Sequence, residues 1–207
     1  MNNIIVAGIG TGIGKTFIAA IITEALQADY WKPVQAGSLN CTDSHLVQSL
    51  ITNTKSFFHT EAYSLSEPLS PHTAAERDGV IIELNKLQPP VSDNKLIIEL
   101  AGGLMVPLNK RELNIDLLKQ WETPVVLVSQ NYLGSINHTL LSVAILKQYK
   151  IDLAGIIFNG EPNVSGENFI LDYTQTKCIG HIKNENLINK TIVKQYAEQL
   201  KSILSSI

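Results

Sequence analysis

The chain has 207 residues, of which 44% are hydrophobic and 17% charged, and its 16 basic and 19 acidic side chains give a formal net charge of −3. This apolar content excludes a disordered chain, and the mildly acidic total argues against a nucleic-acid partner because it offers no broad attraction to phosphate backbones. No apolar run approaches the roughly 20 residues that span a bilayer, the N-terminus lacks a signal-peptide pattern, and the two cysteines lie far apart. We therefore expect one cytoplasmic domain over residues 1–207, with no membrane partner.

Apolar, β-branched runs alternate with helical patterns along most of the chain. The predicted strands are residues 4–7, 30–34, 96–100, 125–129 and 153–159, with a weaker candidate at 177–182. The predicted helices are residues 15–26, 43–50, 114–121 and 136–149, and an amphipathic closing helix at 192–207. Consecutive apolar positions are typical of strands buried on both faces. The expected fold is α/β, a mostly parallel sheet flanked by helices in a Rossmann-like three-layer arrangement.

The segment 57–93 has the least regular pattern. It contains prolines in SEPLSPH at residues 66–72 and in QPP at residues 88–90, and proline disrupts both helices and strands. Long loops inside compact domains are usually functional or mobile. We interpret this segment as an insertion over the mouth of a site.

A glycine-rich loop, GIGTGIGKT at residues 8–16, follows the first predicted strand and opens the first predicted helix. Glycines let backbone N–H groups turn toward phosphate oxygens, and the helix N-terminus adds a partial positive charge. Lys15 supplies a cation for the β- and γ-phosphates, and the hydroxyl of Thr16 is placed to bind Mg²⁺. Five residues rather than the usual four separate the first glycine from Gly-Lys-Thr, but the context favours a P-loop over a plain glycine-rich turn. The loop predicts a nucleotide site and leaves the reaction open.

Polar side chains follow other predicted strands at the edge where open α/β sheets bind ligands. Lys32 could hold a carboxylate, a carbamate or a phosphoryl group, and a solvated charge is an equally good interpretation. Asp43 opens a helix, where an acid also serves as an ordinary N-cap. Glu99 closes an apolar strand, and an unpaired acid is rarely buried there. Thr16, Asp43 and Glu99 together predict an oxygen-rich Mg²⁺ site shared with nucleotide phosphates.

Two later strand ends carry weaker signals. Asn137 and His138 lie near the start of the helix predicted at 136–149 and could contact an anion, but helix capping is the better interpretation. Asn159 ends the strand predicted at 153–159 with an amide, which can pair with a purine edge.

Taken together, these segments resemble the dethiobiotin synthetase family. Residues 8–16 are similar to the family's GTDTxVGKT loop, which has the same extra residue. KPV at 32–34, EPLSPH at 67–72, ELAGG at 99–103, LGSINH at 133–138 and Asn159 follow in the family's order. The resemblance implies an ATP-dependent ligase of biotin biosynthesis. Such an enzyme joins CO₂ and 7,8-diaminononanoate to give dethiobiotin, ADP and phosphate, with Mg²⁺ and in a homodimer.

The resemblance also implies roles for individual residues. Lys15 and Lys32 would act as catalytic residues around the phosphates and the carbamate, and the metal ligands would be Thr16, Asp43 and Glu99. The implied ATP-binding residues are Gly12, Ile13, Gly14, Lys15, Thr16, Phe17, Asp43, Glu99, Leu100, Ala101, Gly102, Asn159 and Gly160. The implied substrate-binding residues are Thr11, Lys32, Ala36 and Gly102, with Leu133, Gly134 and Asn137 contributed across the dimer interface.

The chain departs from the family pattern at five positions. It has Gly10 and Gly12 where acidic residues are common, Ala36 where Ser or Thr is usual, and Leu100 where glycine is usual. Lys183 follows Ile182 where the family often has proline against the purine. The resemblance therefore predicts phosphate binding more strongly than selectivity for the base.

The alternative function is a deviant P-loop ATPase switch of the partitioning or scaffold type, in which hydrolysis drives dimerisation on a partner. Such proteins usually carry a second lysine early in the loop, where this chain has Gly10. They also carry a membrane or DNA tether, and no basic or amphipathic tail of that kind is evident. Dethiobiotin synthesis is the preferred interpretation.

Overall fold

A computed structural model describes residues 3–207. The strands are β1 (Ile4–Gly8), β2 (Asp29–Trp31), β3 (Val34–Ala36), β4 (Phe58–His59), β5 (Tyr63–Leu65), β6 (Leu96–Gly103), β7 (Val125–Gln130), β8 (Leu153–Asn159) and β9 (Cys178–Ile182). The α-helices are α1 (Lys15–Leu26), α2 (Asp43–Leu50), α3 (Pro71–Arg77), α4 (Asn114–Trp121), α5 (Ser135–Gln148), α6 (Val164–Thr174) and α7 (Lys190–Leu204). A short 3₁₀-helix covers Leu84–Lys86.

Seven strands form one parallel sheet in the order β4-β2-β6-β1-β7-β8-β9, and β3 and β5 form a separate parallel pair. Because the strands are parallel, their carboxyl ends lie along a single edge of the sheet. That edge carries the loop between β1 and α1 and the ends of β6 and β8, so the topology gathers the predicted site residues in one place.

Helices cover both faces of the main sheet. Ile4 and Val6 of β1 belong to an apolar cluster with α1, α2 and α7. Ile5 and Ala7 belong to a second cluster with α3, α4, α5 and α6. Adjacent residues of β1 therefore point to opposite faces of the sheet. Because both faces are covered, the strand is apolar at consecutive positions. The predicted three-layer α/β fold with a parallel sheet is confirmed.

Most predicted helices have the expected bounds. α1, α2 and α4 match the predicted ranges, α5 is displaced by one residue, and α7 begins at Lys190 because Asn189 caps it by accepting the N–H of Ile192. α6 is not predicted by the hydrophobic pattern, because Val164 and Tyr173 are exposed and obscure its amphipathic period. Among residues 3–207, no helix combines the length and the apolar character needed to cross a membrane.

The prediction of one strand at residues 30–34 is wrong. β2 ends at Trp31 in the main sheet, and β3 begins at Val34 in the small one. Pro33 lies between them and has no N–H to donate to a strand partner. Its carbonyl instead accepts the N–H groups of Ala62 and Tyr63 at the start of β5. The break leaves Lys32 beyond the end of β2, at the carboxyl edge of the sheet.

The interpretation of residues 57–93 as a loop is also wrong, whereas their place over the mouth of a site stays a prediction. The segment contains β4, β5, α3 and the 3₁₀-helix, and it buries Leu65, Ile82 and Leu87 in the second apolar cluster. Pro71 starts α3 rather than breaking a helix, because the first helical turn needs no N–H from that position. The segment therefore contributes side chains to the core.

Candidate active site

The loop between β1 and α1 has the backbone conformation of a phosphate cradle. Gly12 and Gly14 have φ values of 73° and 88°, in the left-handed region that favours glycine. A Cβ added at Gly14 would lie 2.3 Å from Nδ2 of Asn159, whereas one added at Gly10 or Gly12 would meet nothing within 4 Å. The loop is therefore packed against β8 at Gly14 and open at Gly10 and Gly12, where an anion has room to approach the backbone.

Lys15 lies across this loop and is almost fully buried. Its Nζ donates a hydrogen bond of 2.7 Å to the carbonyl of Gly10. Burial, and next the repulsion from Lys32, lower the pKa of Lys15 from 10.5 to about 8, although Glu99 and Asp43 act in the opposite direction. Two neighbouring ammonium groups that repel each other favour a polyanion between them, which is the electrostatic requirement of a triphosphate site.

Lys32 is the centre of a buried charged cluster. Its Nζ lies 2.6 Å from Oδ2 of Asp43 and 2.8 Å from Oε1 of Glu99, and the residue is only 4% exposed. Burial by itself would lower the pKa of Lys32, but the two carboxylates outweigh burial and raise it. Lys32 is therefore a permanent buried cation and not a solvated charge at a strand end.

Strand register explains how Lys32 meets Glu99. Tyr30 and Trp31 of β2 pair with Ile97 and Ile98 of β6. The residue that follows Trp31 is Lys32, and the residue that follows Ile98 is Glu99. β6 continues to Gly103, and Glu99 therefore lies inside this strand rather than closing it as predicted. Directly paired residues of neighbouring strands project to the same face, which places the lysine and the glutamate together.

The Glu99 carboxylate is 1% exposed and receives three hydrogen bonds. Oε1 accepts from Lys32 and from Oγ1 of Thr16 at 2.9 Å, and Oε2 accepts from the hydroxyl of Tyr30 at 2.7 Å. Burial and the charge of Glu99 raise the pKa of Tyr30 well above its ordinary value, so this hydroxyl stays neutral and donates. Both oxygens of the carboxylate are thus held in a fixed orientation.

The oxygen donors at this position suit a hard divalent cation. The hydroxyl of Thr16 and the carboxylates of Asp43 and Glu99 are the ligand types that Mg²⁺ prefers, and the ammonium of Lys32 shows that a cation is accommodated between the two carboxylates. Within residues 3–207, no three His, Cys, Asp or Glu side chains form a group that could hold a metal. Further ligands would have to be phosphate oxygens or water, as is typical of Mg²⁺–nucleotide sites.

Comparison with known proteins identifies the family. A family model described as an AAA domain matches residues 2–191. The ATP-dependent dethiobiotin synthetase BioD of Christiangramia forsetii is 47% identical over 202 residues, which cover 98% of this chain and 97% of that protein. The protein of the same name from Cytophaga hutchinsonii is 47% identical over 201 residues, which cover 97% of each chain. The chain belongs to the dethiobiotin synthetase family.

Solved structures outside the family share the fold. The septum site-determining protein MinD from Pyrococcus horikoshii, complexed with Mg-ADP, has a TM-score of 0.60 at 13% identity. The alignment covers 100% of this chain and 96% of that chain. A ParA family ATPase from Chlorobium tepidum has a TM-score of 0.57 at 12% identity, with 99% of this chain and 91% of that chain aligned. At these identities the likeness shows the P-loop α/β fold alone.

The residues that the family resemblance assigns to ATP differ in what their side chains contact. Asn159 donates from Nδ2 to the carbonyl of Ile13 at 2.9 Å and so joins the end of β8 to the loop. The ring of Phe17 packs edge-on against Tyr196 at 6.2 Å, and Leu100 is buried in the second apolar cluster. The side chains of Phe17 and Leu100 therefore belong to the core.

The carboxyl ends of β8 and β9 lie side by side at the same edge of the sheet. The N–H of Gly160 donates to the carbonyl of Ile182 at 2.8 Å, which ties β8 to β9. The N–H of Lys183 donates to the hydroxyl of Tyr196, and this hydroxyl donates to Oε1 of Glu185 at 2.6 Å. Lys183 stands where the family often has proline, and its backbone N–H is held by a tyrosine.

The segment that ends β6 is adjacent to the loop. Gly102 has φ of 71°, and a Cβ added there would lie 3.4 Å from Oγ1 of Thr11. Asn114, the first residue of α4, donates from Nδ2 to the carbonyls of Ala101 and Gly103 at 2.7 and 2.9 Å. The predicted substrate residues Thr11 and Gly102 are thus brought together, and Asn114 fixes the backbone beside them.

Asn114, Gln35 and Tyr30 are contributors to the site that the sequence analysis missed. Gln35 accepts the N–H of Asp43 on Oε1 at 3.2 Å, and it thereby fixes the start of α2. Ala36, a predicted substrate residue, follows Gln35 at the end of β3 and is half-buried. A signal for Tyr30 exists in the sequence, because it precedes Lys32 by two positions and shares its face of the strand.

The residues expected to act across a dimer interface do not enter the site of their own chain. A cavity of about 460 Å³ beside the loop is lined by Thr11, Val106, His138 and Leu141, among others, and not by Leu133, Gly134 or Asn137. Leu133, Gly134 and Asn137 are exposed at the start of α5. A second cavity, of about 960 Å³, lies between α3, residues 79–88 and residues 108–112, and none of the predicted site residues lines it.

The interpretation of Asn137 and His138 as helix caps is wrong. α5 begins at Ser135, and Gly134 occupies the N-cap position with φ of 101°. Both predicted caps therefore lie inside the helix. His138 instead shares a hydrogen bond of 2.7 Å between Nδ1 and the hydroxyl of Tyr132.

Proposed function

We propose that this chain is a dethiobiotin synthetase that uses ATP and Mg²⁺ to carboxylate 7,8-diaminononanoate with CO₂ and to close the ureido ring. The observation that carries the proposal is the buried cluster of Lys32, Asp43, Glu99 and Thr16 beside a glycine loop, in a chain that is 47% identical to proteins named for this activity. The match to the family model across residues 2–191 supports one ligase domain over residues 1–207.

The proposed reaction needs no nucleophile from the protein. One substrate amine attacks the carbon of CO₂ and loses a proton, which gives a carbamate. A carbamate oxygen then attacks the γ-phosphorus, the bond to the β,γ-bridging oxygen breaks, and ADP leaves behind a carbamic-phosphoric anhydride. The second amine attacks the carbonyl carbon, phosphate departs, a proton is lost, and the ring is closed.

The protein contributes positioning and charge neutralisation, as in phosphoryl transfer generally. Lys15 spans the glycine loop and would neutralise the phosphates. Lys32 stays charged because Asp43 and Glu99 flank it, and it would neutralise the carbamate and the transferring group. Bound Mg²⁺ would reduce the charge of the triphosphate, and Thr16, Asp43 and Glu99 would hold it.

We infer that the active unit is a homodimer. The family resemblance assigns Leu133, Gly134 and Asn137 to the substrate bound by the neighbouring subunit, and Leu133 is fully exposed. Met105 and Leu141, at 51% and 59% exposure, line the cavity beside the loop and would be covered by a second copy. Exposed large apolar side chains at a cavity are typical of an interface.

The test is to supply the purified chain with ATP, Mg²⁺, bicarbonate and 7,8-diaminononanoate and to detect dethiobiotin by mass spectrometry. Dethiobiotin and ADP should appear in equal amounts, and omission of the diamine should abolish ADP formation above background. ATP hydrolysis that is unaffected by the diamine, with no dethiobiotin, would overturn the proposal in favour of the ATPase switch.

A further inference from the structure

Tyr30 carries a hydroxyl that its surroundings do not otherwise require. The side chain is fully buried in the apolar cluster under α1 and α2, and its ring packs against Phe58 with centroids 5.7 Å apart. A phenylalanine would fill the same space without the cost of burying a polar group. Among residues 3–207 the hydroxyl has one hydrogen-bond partner, Oε2 of Glu99 at 2.7 Å.

This hydrogen bond determines which oxygen of Glu99 faces the site. Oε2 accepts the hydrogen bond from Tyr30, and Oε1 accepts those from Thr16 and Lys32. Without the hydroxyl, Oε2 would be a buried acceptor with no donor, and the carboxylate would gain by rotating toward the remaining donors. The orientation of Oε1 would then no longer be fixed.

We propose that Tyr30 is a positioning residue for the metal, which holds Glu99 so that Oε1 alone is presented beside Thr16 and Asp43. The inference rests on the proposed function, because it assumes that these three residues bind Mg²⁺ with the nucleotide. Partners that orient a metal ligand typically change metal affinity by about 10- to 100-fold when they are removed. A hydroxyl with a purely structural role would change stability and leave the Mg²⁺ requirement unaltered.

The test is the variant Tyr30→Phe, which keeps the ring and its packing against Phe58. Binding of a fluorescent, non-hydrolysable ATP analogue is titrated against Mg²⁺, and the Mg²⁺ dependence of dethiobiotin formation is measured in parallel. We expect the half-saturating Mg²⁺ concentration to rise about tenfold in both assays, with kcat at saturating Mg²⁺ largely retained. The matched control is Tyr63→Phe, whose hydroxyl accepts the N–H of Glu83 at 3.0 Å, and it should leave both Mg²⁺ curves unchanged.

The outcomes separate this inference from the proposed function. A wild-type chain that forms no dethiobiotin in the presence of Mg²⁺ overturns the proposed function. A wild-type chain that forms dethiobiotin, together with a Tyr30→Phe variant that follows the same Mg²⁺ curves, overturns the role of Tyr30 alone. A lowered melting temperature in Tyr30→Phe without a shift of the Mg²⁺ curves assigns the hydroxyl to stability and likewise overturns the inference.

Discussion

Replacing Lys32 with methionine tests the charge balance of the candidate site. Methionine has similar length and no charge, so the change removes the ammonium that lies 2.6 Å from Asp43 and 2.8 Å from Glu99. Removing one partner of a buried ion pair costs about 3–5 kcal/mol. We expect the lower end, about 3 kcal/mol, because Thr16 and Tyr30 still donate to Glu99. For a chain of this length the melting temperature should fall by about 6–12 °C.

Mg²⁺ should restore much of this loss, because the same two carboxylates are the predicted ligands. A ligand that binds only the folded state at 100 times its Kd stabilises that state by about 2.7 kcal/mol. Melting curves are recorded in MgCl₂ and in KCl of equal ionic strength. The matched control is Lys147→Met, since Nζ of Lys147 donates to the carbonyl of Thr174 and has no carboxylate partner among residues 3–207. Mg²⁺ should stabilise Lys32→Met more than it stabilises the wild type or this control.

Two further measurements complete the test of Lys32. Dethiobiotin formation by Lys32→Met should fall by about 10²–10³-fold even where Mg²⁺ has restored stability, because the ammonium for the developing charge is absent. Addition of Glu99→Gln should restore stability without Mg²⁺, which a double-mutant cycle measures as a coupling energy. The reasoning would be refuted if Lys32→Met were as stable as the wild type, or if Mg²⁺ stabilised Lys32→Met and the wild type equally.

Four other substitutions test separate parts of the structure. Gly14→Ala should lower stability and nucleotide affinity, measured by thermal melting and equilibrium titration, because φ is positive and the added Cβ would meet the Asn159 amide at 2.3 Å. Gly10→Ala has open space around its Cβ, so its free energy of unfolding should differ from that of the wild type by less than about 0.5 kcal/mol. Partial burial would raise the pKa of Glu24, but hydrogen bonds from residues 52–53 outweigh it and lower the pKa below 4.5. The stabilisation that Glu24 provides is therefore present above pH 4.5. It is lost as the pH falls through the lowered pKa that Glu24 has in the folded state. After discounting for solvent screening, we expect these hydrogen bonds to stabilise the folded state by about 1 kcal/mol. Glu24→Gln should therefore melt about 2–4 °C lower than the wild type at pH 7, and this difference should vanish in acid. Leu141→Glu should convert the inferred dimer to a monomer in light scattering and lower dethiobiotin formation, and an unchanged dimer would place the interface elsewhere.

The parts of the fold that local signals specify could be predicted from the sequence. The glycine loop is recognisable because three features coincide within residues 4–16, namely the preceding strand, the glycines and the Gly-Lys-Thr ending. α1, α2 and α4 have clear helical periodicity, and their bounds agree with prediction. Residues 57–93 could not be predicted in this way, because two- and three-residue strands carry no periodic signal and Pro71 has opposite meanings inside a helix and at its start.

The parts of the site that depend on distant contacts were not predictable from local patterns. Tyr30 and Glu99 are 69 positions apart, so the sequence shows a donor and an acceptor but not their meeting. Asn114 was assigned to a helix, and its amide bonds to β6 depend on how α4 packs. Asn137 is a suitable cap by residue type, but the helix begins at Ser135, before Asn137 and His138.

The break after β2 explains how a widely shared fold acquires this particular site. β2 and β6 are paired up to Trp31 and Ile98, and the register would next oppose Lys32 and Glu99. Because Pro33 ends the ladder there, Lys32 keeps its place opposite Glu99 while the chain leaves the sheet and brings Asp43 to the same ammonium. The net charge of −3 does not show this local arrangement, in which the carboxylates of Asp43 and Glu99 keep the buried Lys32 charged beside Lys15. The P-loop binds phosphate in many proteins, so the lysine that follows β2, rather than the fold, is the feature on which the proposed carbamate chemistry depends.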